Sequence, residues 1–233
     1  MFAVDVHTHT RFFHGFESRP TPVDPVGARA LAVVARYRGL DGVAFTNHDY
    51  TADFAVPGLV TIPGIEVSTT RGHVLVIGPD PPAATRVGGM TPAEVVDLAH
   101  QRDCAAIVAH PYRNSTVRAV EAPFDAIEIN GKHPRTRDSV ERLAEGHDLP
   151  TVGGSDAHYP FEVGRAHTLV DADELTPAAV VDAIRDCRVA PRVDTWLPHS
   201  LLRALYRRIH SEKGHLTEPE WLSPGVGSPP GEE

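Results

Sequence analysis

The sequence contains few cysteines, and this excludes several kinds of protein. Among its 233 residues there are two, Cys104 and Cys187. Two thiols cannot build a disulfide framework or a zinc site made of thiolates, and their scarcity is consistent with a reducing cytoplasm. The fold must therefore rest on a hydrophobic core, and a chain of this length can bury a substantial one.

Long apolar runs and an excess of basic residues are also missing. No stretch approaches the roughly 18 apolar residues of a membrane span, and residues 1–6 lack the basic region of a signal peptide. The formal net charge is −9, which argues against a surface for nucleic acid, because phosphate backbones need basic patches. We therefore expect a cytoplasmic protein with neither a membrane nor duplex nucleic acid as partner.

Short apolar runs alternate with helical patterns along most of the chain. Thr91, Pro92 and Glu94 form a helix start with an N-cap, a proline in the first turn and a capping box. The predicted strands cover residues 3–6, 42–45, 59–67, 73–77, 105–109, 125–129, 151–152 and 167–170, and the predicted helices cover 25–38, 91–102, 135–145 and 176–187. This alternation favours a mainly parallel α/β sheet or barrel.

Two helical patterns carry an apolar stripe. In residues 25–38 the stripe consists of Val26, Ala30, Val33, Val34 and Tyr37, which we expect to face the core. The second stripe lies in residues 197–210 and comprises Leu201, Leu202, Leu205 and Ile209. It predicts a helix that packs on the barrel exterior or on another subunit, which would make a homo-oligomer.

Composition changes toward the end of the chain. From residue 223 onward the sequence is dominated by proline, glycine, serine and glutamate, which is typical of disorder. We therefore expect a barrel domain over residues 1–195, a helical extension over 196–222 and a disordered tail over 223–233.

Histidine is abundant, with fourteen residues. Several histidines and carboxylates fall just past the carboxyl ends of predicted strands: His7 and His9, His48, Glu66, His110, and Asp156 with His158. In a parallel barrel these ends converge on one rim, where catalytic residues gather. We therefore expect these seven side chains to meet in space.

Their chemistry indicates a metal site. Imidazoles and carboxylates without thiolates suit Zn²⁺, Mn²⁺ or Fe²⁺. Seven ligands exceed what one ion can use, so we expect two or three ions with shared ligands, an arrangement suited to in-line displacement at phosphorus.

An ordered set of motifs resembles the PHP (polymerase and histidinol phosphatase) family. The motifs are His7-x-His9, Thr46-Asn47-His48, Gly64-Ile65-Glu66, His110-Pro111 and Gly154-Ser155-Asp156-x-His158, and the resemblance spans roughly residues 1–190. It implies a distorted, TIM-like seven-stranded β/α barrel with metal-dependent phosphoesterase activity. Members include histidinol phosphatases, nucleotide and oligonucleotide phosphatases, and domains of bacterial DNA polymerases.

The resemblance adds two candidate ligands and one departure. His14 stands where many members have aspartate, and His73 resembles the family histidine that follows the glutamate, although His73 begins its predicted strand. Asn47 replaces the usual aspartate of Thr-Asp-His. If that acid orients His48, Asn47 would do so without charge, and Asp49 could substitute. The resulting candidate ligands are His7, His9, His14, His48, Glu66, His73, His110, Asp156 and His158.

Further residues are candidates for the reaction itself. Asp156 and His158 would lie beside the attacking hydroxide, generated from water by the metal ions. Arg113 and Arg165 resemble basic positions of the family, and arginine suits contact with phosphate. Lys132, His133 and Arg135 follow the sixth predicted strand and could also face the site.

The expected activity is hydrolysis of a small phosphorylated metabolite or nucleotide, with a monoester favoured over a diester. One alternative is an amidohydrolase, but the version with a carbamylated lysine on the fourth strand does not fit, because Lys132 and Lys213 are the only lysines. A non-catalytic metal-stabilised binding module is a second alternative. A processive nuclease is a third, although the chain lacks a basic surface. The substrate, the metal and the oligomeric state stay open.

Overall fold

A computed structural model describes residues 1–10, 24–52, 54–113 and 115–194, which form nine strands and four α-helices. The strands are β1 (Phe2–Thr8), β2 (Gly42–His48), β3 (Val60–Thr69), β4 (Gly72–Ile77), β5 (Ala105–Val108), β6 (Ala126–Asn130), β7 (Thr151–Gly154), β8 (Ala166–Val170) and β9 (Val189–Val193). The helices are α1 (Pro25–Tyr37), α2 (Pro92–His100), α3 (Arg137–His147) and α4 (Pro177–Arg185).

All nine strands belong to one sheet in the order β7-β6-β5-β4-β3-β2-β1-β8-β9. The pairs β1–β2, β2–β3, β5–β6 and β6–β7 are parallel. The pairs β1–β8, β3–β4, β4–β5 and β8–β9 are antiparallel. Half of the pairings therefore depart from the mainly parallel expectation. The reversal at β3–β4 has a simple cause, because Thr70 and Arg71 alone join these strands and a parallel crossover needs a dozen residues or more.

The sheet curls until its ends approach each other. Gly153 of β7 donates its N–H to the Thr168 hydroxyl of β8 at 2.9 Å, and that hydroxyl donates to the Gly153 carbonyl at 3.0 Å. A Cβ at Gly153 would lie 2.4 Å from the His167 carbonyl oxygen, so only glycine permits this approach. The nearly closed sheet confirms the distorted TIM-like barrel expected from the sequence.

Helix α2 begins as predicted, with Thr91 as N-cap and the reciprocal capping box to Glu94. The predicted inner face of α1 is wrong. Tyr37 is 91% exposed and Val33 67%. The buried face instead consists of Ala28, Leu31, Ala32 and Ala35, which pack in one cluster with Val43 and Phe45 of β2. Small alanines allow the helix to lie close to the sheet. Of the predicted stripe, Val34 packs partly against this cluster, whereas Val26, Val33 and Tyr37 are exposed.

The ends of the barrel differ in character. Residues of α4, including Val180 and Ile184, join an apolar cluster with Val4 of β1. A Cβ at Gly42, the first residue of β2, would lie 3.2 Å from the Leu175 side chain just before α4. Leu175 and helix α4 therefore cover the end of the barrel at which β2 begins, and the opposite rim is left for polar side chains.

Some expectations concern residues outside the described ranges. These are His14, the helix over 197–210, and the proposed extension and tail over 196–222 and 223–233, all of which stay predictions, as does the domain limit at residue 195. No helix within the described residues is long and apolar enough to cross a membrane.

Candidate metal centre

The rim at the carboxyl end of β2 gathers eight of the nine candidate ligands. His48 ends β2, His9 follows β1, His110 follows β5 and Asp156 follows β7. His73 lies at the same rim for a different reason. Strand β4 runs antiparallel to β3 and β5, so its beginning meets their polar end. The β3–β4 hairpin thus explains why His73 lies at the rim although it begins its strand.

Glu66 is the centre of one group of ligands, here called the Glu66 cluster. Its carboxylate is completely buried. Oε1 lies 2.7 Å from His73 Nδ1 and 3.0 Å from His110 Nε2, and Oε2 lies 3.1 Å from His48 Nδ1 and 3.2 Å from His7 Nε2. Burial opposes ionisation, but the imidazoles, His48 first, outweigh it and hold the pKa of Glu66 well below its usual value.

Asp156 is the centre of a second group, the Asp156 cluster. Its backbone has φ of +53°, which aspartate tolerates better than most residues. Oδ2 lies 2.8 Å from Arg113 Nη1, and Oδ1 lies 3.0 Å from Lys132 Nζ and 3.1 Å from His158 Nδ1. Burial raises the pKa of Asp156, yet Lys132 and then His158 outweigh this effect and hold it well below its usual value.

His9 lies between the clusters, with Nε2 3.5 Å from Glu66 Oε2 and 3.3 Å from Asp156 Oδ1. His9 Nδ1 and His110 Nδ1 are buried without a hydrogen-bond partner in the described part of the chain. Burial first, and next the proximity of the His158 imidazole, hold the pKa of His9 well below its usual value, so the ring is neutral near pH 7. Neutral imidazoles with unused lone pairs are what a divalent ion needs.

Three sets of ligand atoms lie close enough to share an ion, each with atoms within 4.8 Å of one another. They are His7 with His9 and Asp156, His9 with His48 and His158, and His48 with Glu66 and His73. The orphaned nitrogens and the donor chemistry both fit divalent ions. The rim is therefore a candidate metal centre.

Glu128 is a buried member of the site that the sequence analysis missed. Its Oε1 lies 2.8 Å from His7 Nδ1, and its Oε2 accepts the His110 backbone N–H at 2.8 Å. Burial disfavours the His7 imidazolium, but Glu128 and then Glu66 outweigh it and raise the pKa of His7. A carboxylate on one ring nitrogen fixes the other toward an ion. The signal was a single acid within the apolar run of β6.

Asp5 is a second buried carboxylate without a sequence prediction. Oδ1 accepts N–H groups of His7 at 3.2 Å and Ser155 at 2.9 Å, and Oδ2 accepts that of Gly164 at 2.7 Å. Burial raises the pKa of Asp5 to about 6. Asp5 thereby ties β1 to the segment that carries Asp156.

Asn47 and Asp49 hold loops beside the rim. Asn47 Oδ1 accepts the Thr10 N–H at 2.8 Å, and its Nδ2 donates to the Thr10 hydroxyl at 2.9 Å. Asp49 Oδ1 accepts from the Ser68 N–H and the Thr85 hydroxyl, each at 2.9 Å. These contacts give Asn47 a role in placing the segment after His9.

The two arginines predicted to contact phosphate occupy different places. Arg113 lines an open cleft of about 310 Å³ together with His48, Glu66, His73, His110, Asp156 and His158. Arg165 is 1% exposed, with Nη1 3.4 Å from Glu162 Oε1. Glu162 Oε2 in turn accepts the His158 N–H at 2.7 Å. Arg165 therefore lies in the layer behind His158.

Three other candidates follow β6. Lys132 reaches Asp156, as described above. His133 borders a smaller cavity of about 190 Å³ that also contacts His110 and Arg113, and Arg135 is exposed.

Comparisons with known proteins bear on this site. Residues 134–189 match a family model described as PHP-associated. The resemblance to the PHP family is confirmed. This PHP-associated stretch includes Asp156 and His158. No curated protein matches the chain by sequence.

Solved structures share the PHP-type fold. PsfC from Pseudomonas syringae PB-5123 is 19% identical with a TM-score of 0.69, over 89% of this chain and 98% of PsfC. A two-domain protein of Bacteroides vulgatus ATCC 8482, containing a predicted PHP-like metal-dependent phosphoesterase, is 18% identical with a TM-score of 0.58, over 82% and 64% of the two chains.

Endonuclease Q also shares the fold. The lesion-specific enzyme of Pyrococcus furiosus is 19% identical with a TM-score of 0.56, over 79% of this chain and 56% of the enzyme. An endonuclease Q complex holds a 27-mer duplex with an abasic lesion at its active site and matches with a TM-score of 0.59 at 20% identity. At these identities the likeness establishes the fold alone.

Proposed function

We propose that this protein is a metal-dependent phosphoesterase that hydrolyses a small phosphorylated metabolite or a nucleotide. The observation that carries the proposal is the joining of the Glu66 and Asp156 clusters through His9, with the Arg113 guanidinium in the same cleft. Ligands for several cations and a fixed donor for an anion are the two parts that phosphate hydrolysis requires.

The residues that would hold the ions are the eight described ligands, with His14 as a ninth candidate. Two or three ions of zinc, manganese or iron suit these imidazoles and carboxylates. When bound, such ions would lower the pKa of a water molecule toward neutrality and offset charge on the phosphate.

The chain's own residues would divide the remaining work. Arg113 would bind phosphate oxygens, since its guanidinium lines the cleft. Burial, and next the charge of Lys132, lower the pKa of His158 to about 4, so its ring is neutral near pH 7. Asp156 and His158 would thus present a carboxylate and a neutral imidazole beside the reacting water.

The choice of substrate rests on charge. A net charge of −9 favours a small free ester over a polymer, because a phosphate backbone requires basic patches. The fold shared with endonuclease Q gives a definite rival, cleavage of a damaged duplex. We propose a monoester as the substrate, and a damaged duplex should be tested in the same assay.

The test is phosphate release after loading with Mn²⁺, Zn²⁺ or Fe²⁺. The panel would hold phosphomonoesters, phosphodiesters and a duplex oligonucleotide with an abasic site. We expect turnover of a monoester that requires metal and that is lost in His110→Ala and Asp156→Asn. His147→Ala, on the exposed end of α3, is the matched control and should keep full activity.

Other outcomes would redirect the proposal. Cleavage of the duplex alone would make the protein a nuclease. Bound ions without cleavage of any ester would reject the phosphoesterase and make amide substrates the next panel. Absence of bound metal would overturn the metal centre itself.

A further inference from the structure

Lys132 places a positive charge inside the candidate metal centre. Its Nζ lies 3.0 Å from Asp156 Oδ1 and 2.9 Å from His158 Nδ1, and its side chain is only 18% exposed. Both contacted residues belong to sets of candidate metal ligands. An ammonium group has three donors and no acceptor, so it takes up at Asp156 the lone pair that an ion would use.

The backbone of Lys132 is fixed by the framework of the site. Asn130 Oδ1 accepts the Lys132 N–H at 2.9 Å, and Asn130 Nδ2 donates to Glu128 Oε2 at 3.2 Å. Next to it, Gly131 donates to the Gly154 carbonyl at 2.8 Å. Lys132 thus reaches Asp156 from the end of β6, the strand whose Glu128 contacts His7.

A bound ion and the ammonium would compete for Asp156. A divalent ion sits about 2.0–2.2 Å from a carboxylate oxygen, while Lys132 Nζ stands 3.0 Å from that oxygen. Two cations so close repel each other strongly in a partly buried site. Arg113 occupies the other oxygen, Oδ2, at 2.8 Å and does not compete for Oδ1.

We propose that Lys132 is an exchangeable internal cation. It neutralises Asp156 while the adjacent ion site is empty, gives up Oδ1 when an ion binds, and then binds the phosphate of the substrate. The second half of this role rests on the proposed function. A lysine suits exchange because its ammonium is a point charge on a flexible stem, whereas the planar guanidinium of Arg113 favours one fixed geometry.

The first test uses zinc alone and needs no turnover. We expect Lys132→Met to bind its weakest zinc ion at least about tenfold more tightly by calorimetry, because a competing charge is removed. Lys132→Arg, which keeps the charge, should stay near the wild-type affinity. Lys213→Met removes the only other lysine of the chain and should leave zinc binding unchanged.

The second test measures inorganic phosphate binding to the zinc-loaded proteins. Loss of a charge-assisted contact should weaken phosphate binding about tenfold or more in Lys132→Met. Tighter zinc and weaker phosphate in the same variant are the expected pair of results.

Two outcomes would overturn the exchange. One is unchanged zinc affinity in Lys132→Met, even if phosphate binds more weakly, since Lys132 would then be a fixed phosphate contact. The other is tighter zinc with unchanged phosphate binding. Failure of the proposed function is separate, because a wild-type protein that binds zinc and cleaves no ester still allows both comparisons.

Discussion

The Glu66 and Asp156 clusters neutralise a buried carboxylate in different ways. Glu66 has imidazoles around it, at 2.7 to 3.5 Å. Asp156 has two permanently charged partners, Arg113 and Lys132, at 2.8 and 3.0 Å. A buried charge requires a compensating charge nearby. Arg113 and Lys132 supply it for Asp156, whereas Glu66 depends on protons or ions bound by the surrounding imidazoles.

This difference has a consequence for the metal-free protein. Burial opposes a charge on His73, but Glu66 outweighs it and raises the pKa of His73, and Glu128 and Glu66 do the same for His7. Ions must displace such protons in order to bind. Glu66 should therefore govern metal content as a whole, and Asp156 should govern one ion.

The largest expected effect comes from Glu66→Gln. The amide keeps the shape but loses the charge that the surrounding imidazoles share. Activity should fall by more than the roughly 100-fold that an outer partner costs, and elemental analysis should find fewer ions per chain than in the wild-type protein. Glu145→Gln, an exposed site on α3, is the control. Retention of wild-type metal content in Glu66→Gln would show that Glu66 does not govern metal binding.

Asp156→Asn should separate the clusters. We expect this variant to lose one ion per chain, because the Glu66 cluster keeps its ligands, and to lose about 100-fold or more in activity, since an electrostatic partner of the reacting groups is gone. Elemental analysis and phosphate release on the same samples check this. Complete loss of metal would show that the two clusters act as one.

Glu128→Gln should have a smaller effect of about 10–100-fold in metal affinity or activity, typical of a residue that orients a ligand. The amide can still accept one hydrogen bond, but it cannot serve both His7 Nδ1 and the His110 N–H as a charged acceptor. Calorimetry with zinc measures it, beside exposed Glu121→Gln as control. An effect as large as that of Glu66→Gln would mean that Glu128 binds metal directly.

The gathering of the candidate ligands at one rim could be predicted from sequence because it depends on strand ends. His9, His48, His110 and Asp156 each follow or end a strand, and those ends share a rim. His73 did not obey this rule, because the two-residue link at Thr70 and Arg71 reverses the chain. Two apolar runs so close together carry the hairpin signal, and reading it would have placed His73 at the rim.

Other features were beyond pattern reading. Glu128 is the single acid within the apolar run of β6, which indicates a buried acid, but only the contact with His7 across the barrel shows what that acid does. Helix α1 has two apolar stripes, one with Val33 and Tyr37 and one with Leu31 and alanines. Hydrophobicity favours the larger stripe, but close packing against β2 selects the smaller residues.

The smallest expected effect concerns Asn47, which stands where the resembling family usually has aspartate. An aspartate there would keep an acceptor for the Thr10 N–H, and the Thr10 hydroxyl could turn to donate to the second oxygen, since a hydroxyl serves as donor or acceptor. Both hydrogen bonds survive, so Asn47→Asp should change activity by less than the roughly tenfold lower limit for losing an orienting partner. Asn47→Leu would break both bonds and should cost more. A gain above tenfold in Asn47→Asp would instead show that a charge at this position orients His48. Charged residues would then assist ligands outside the Asp156 cluster as well.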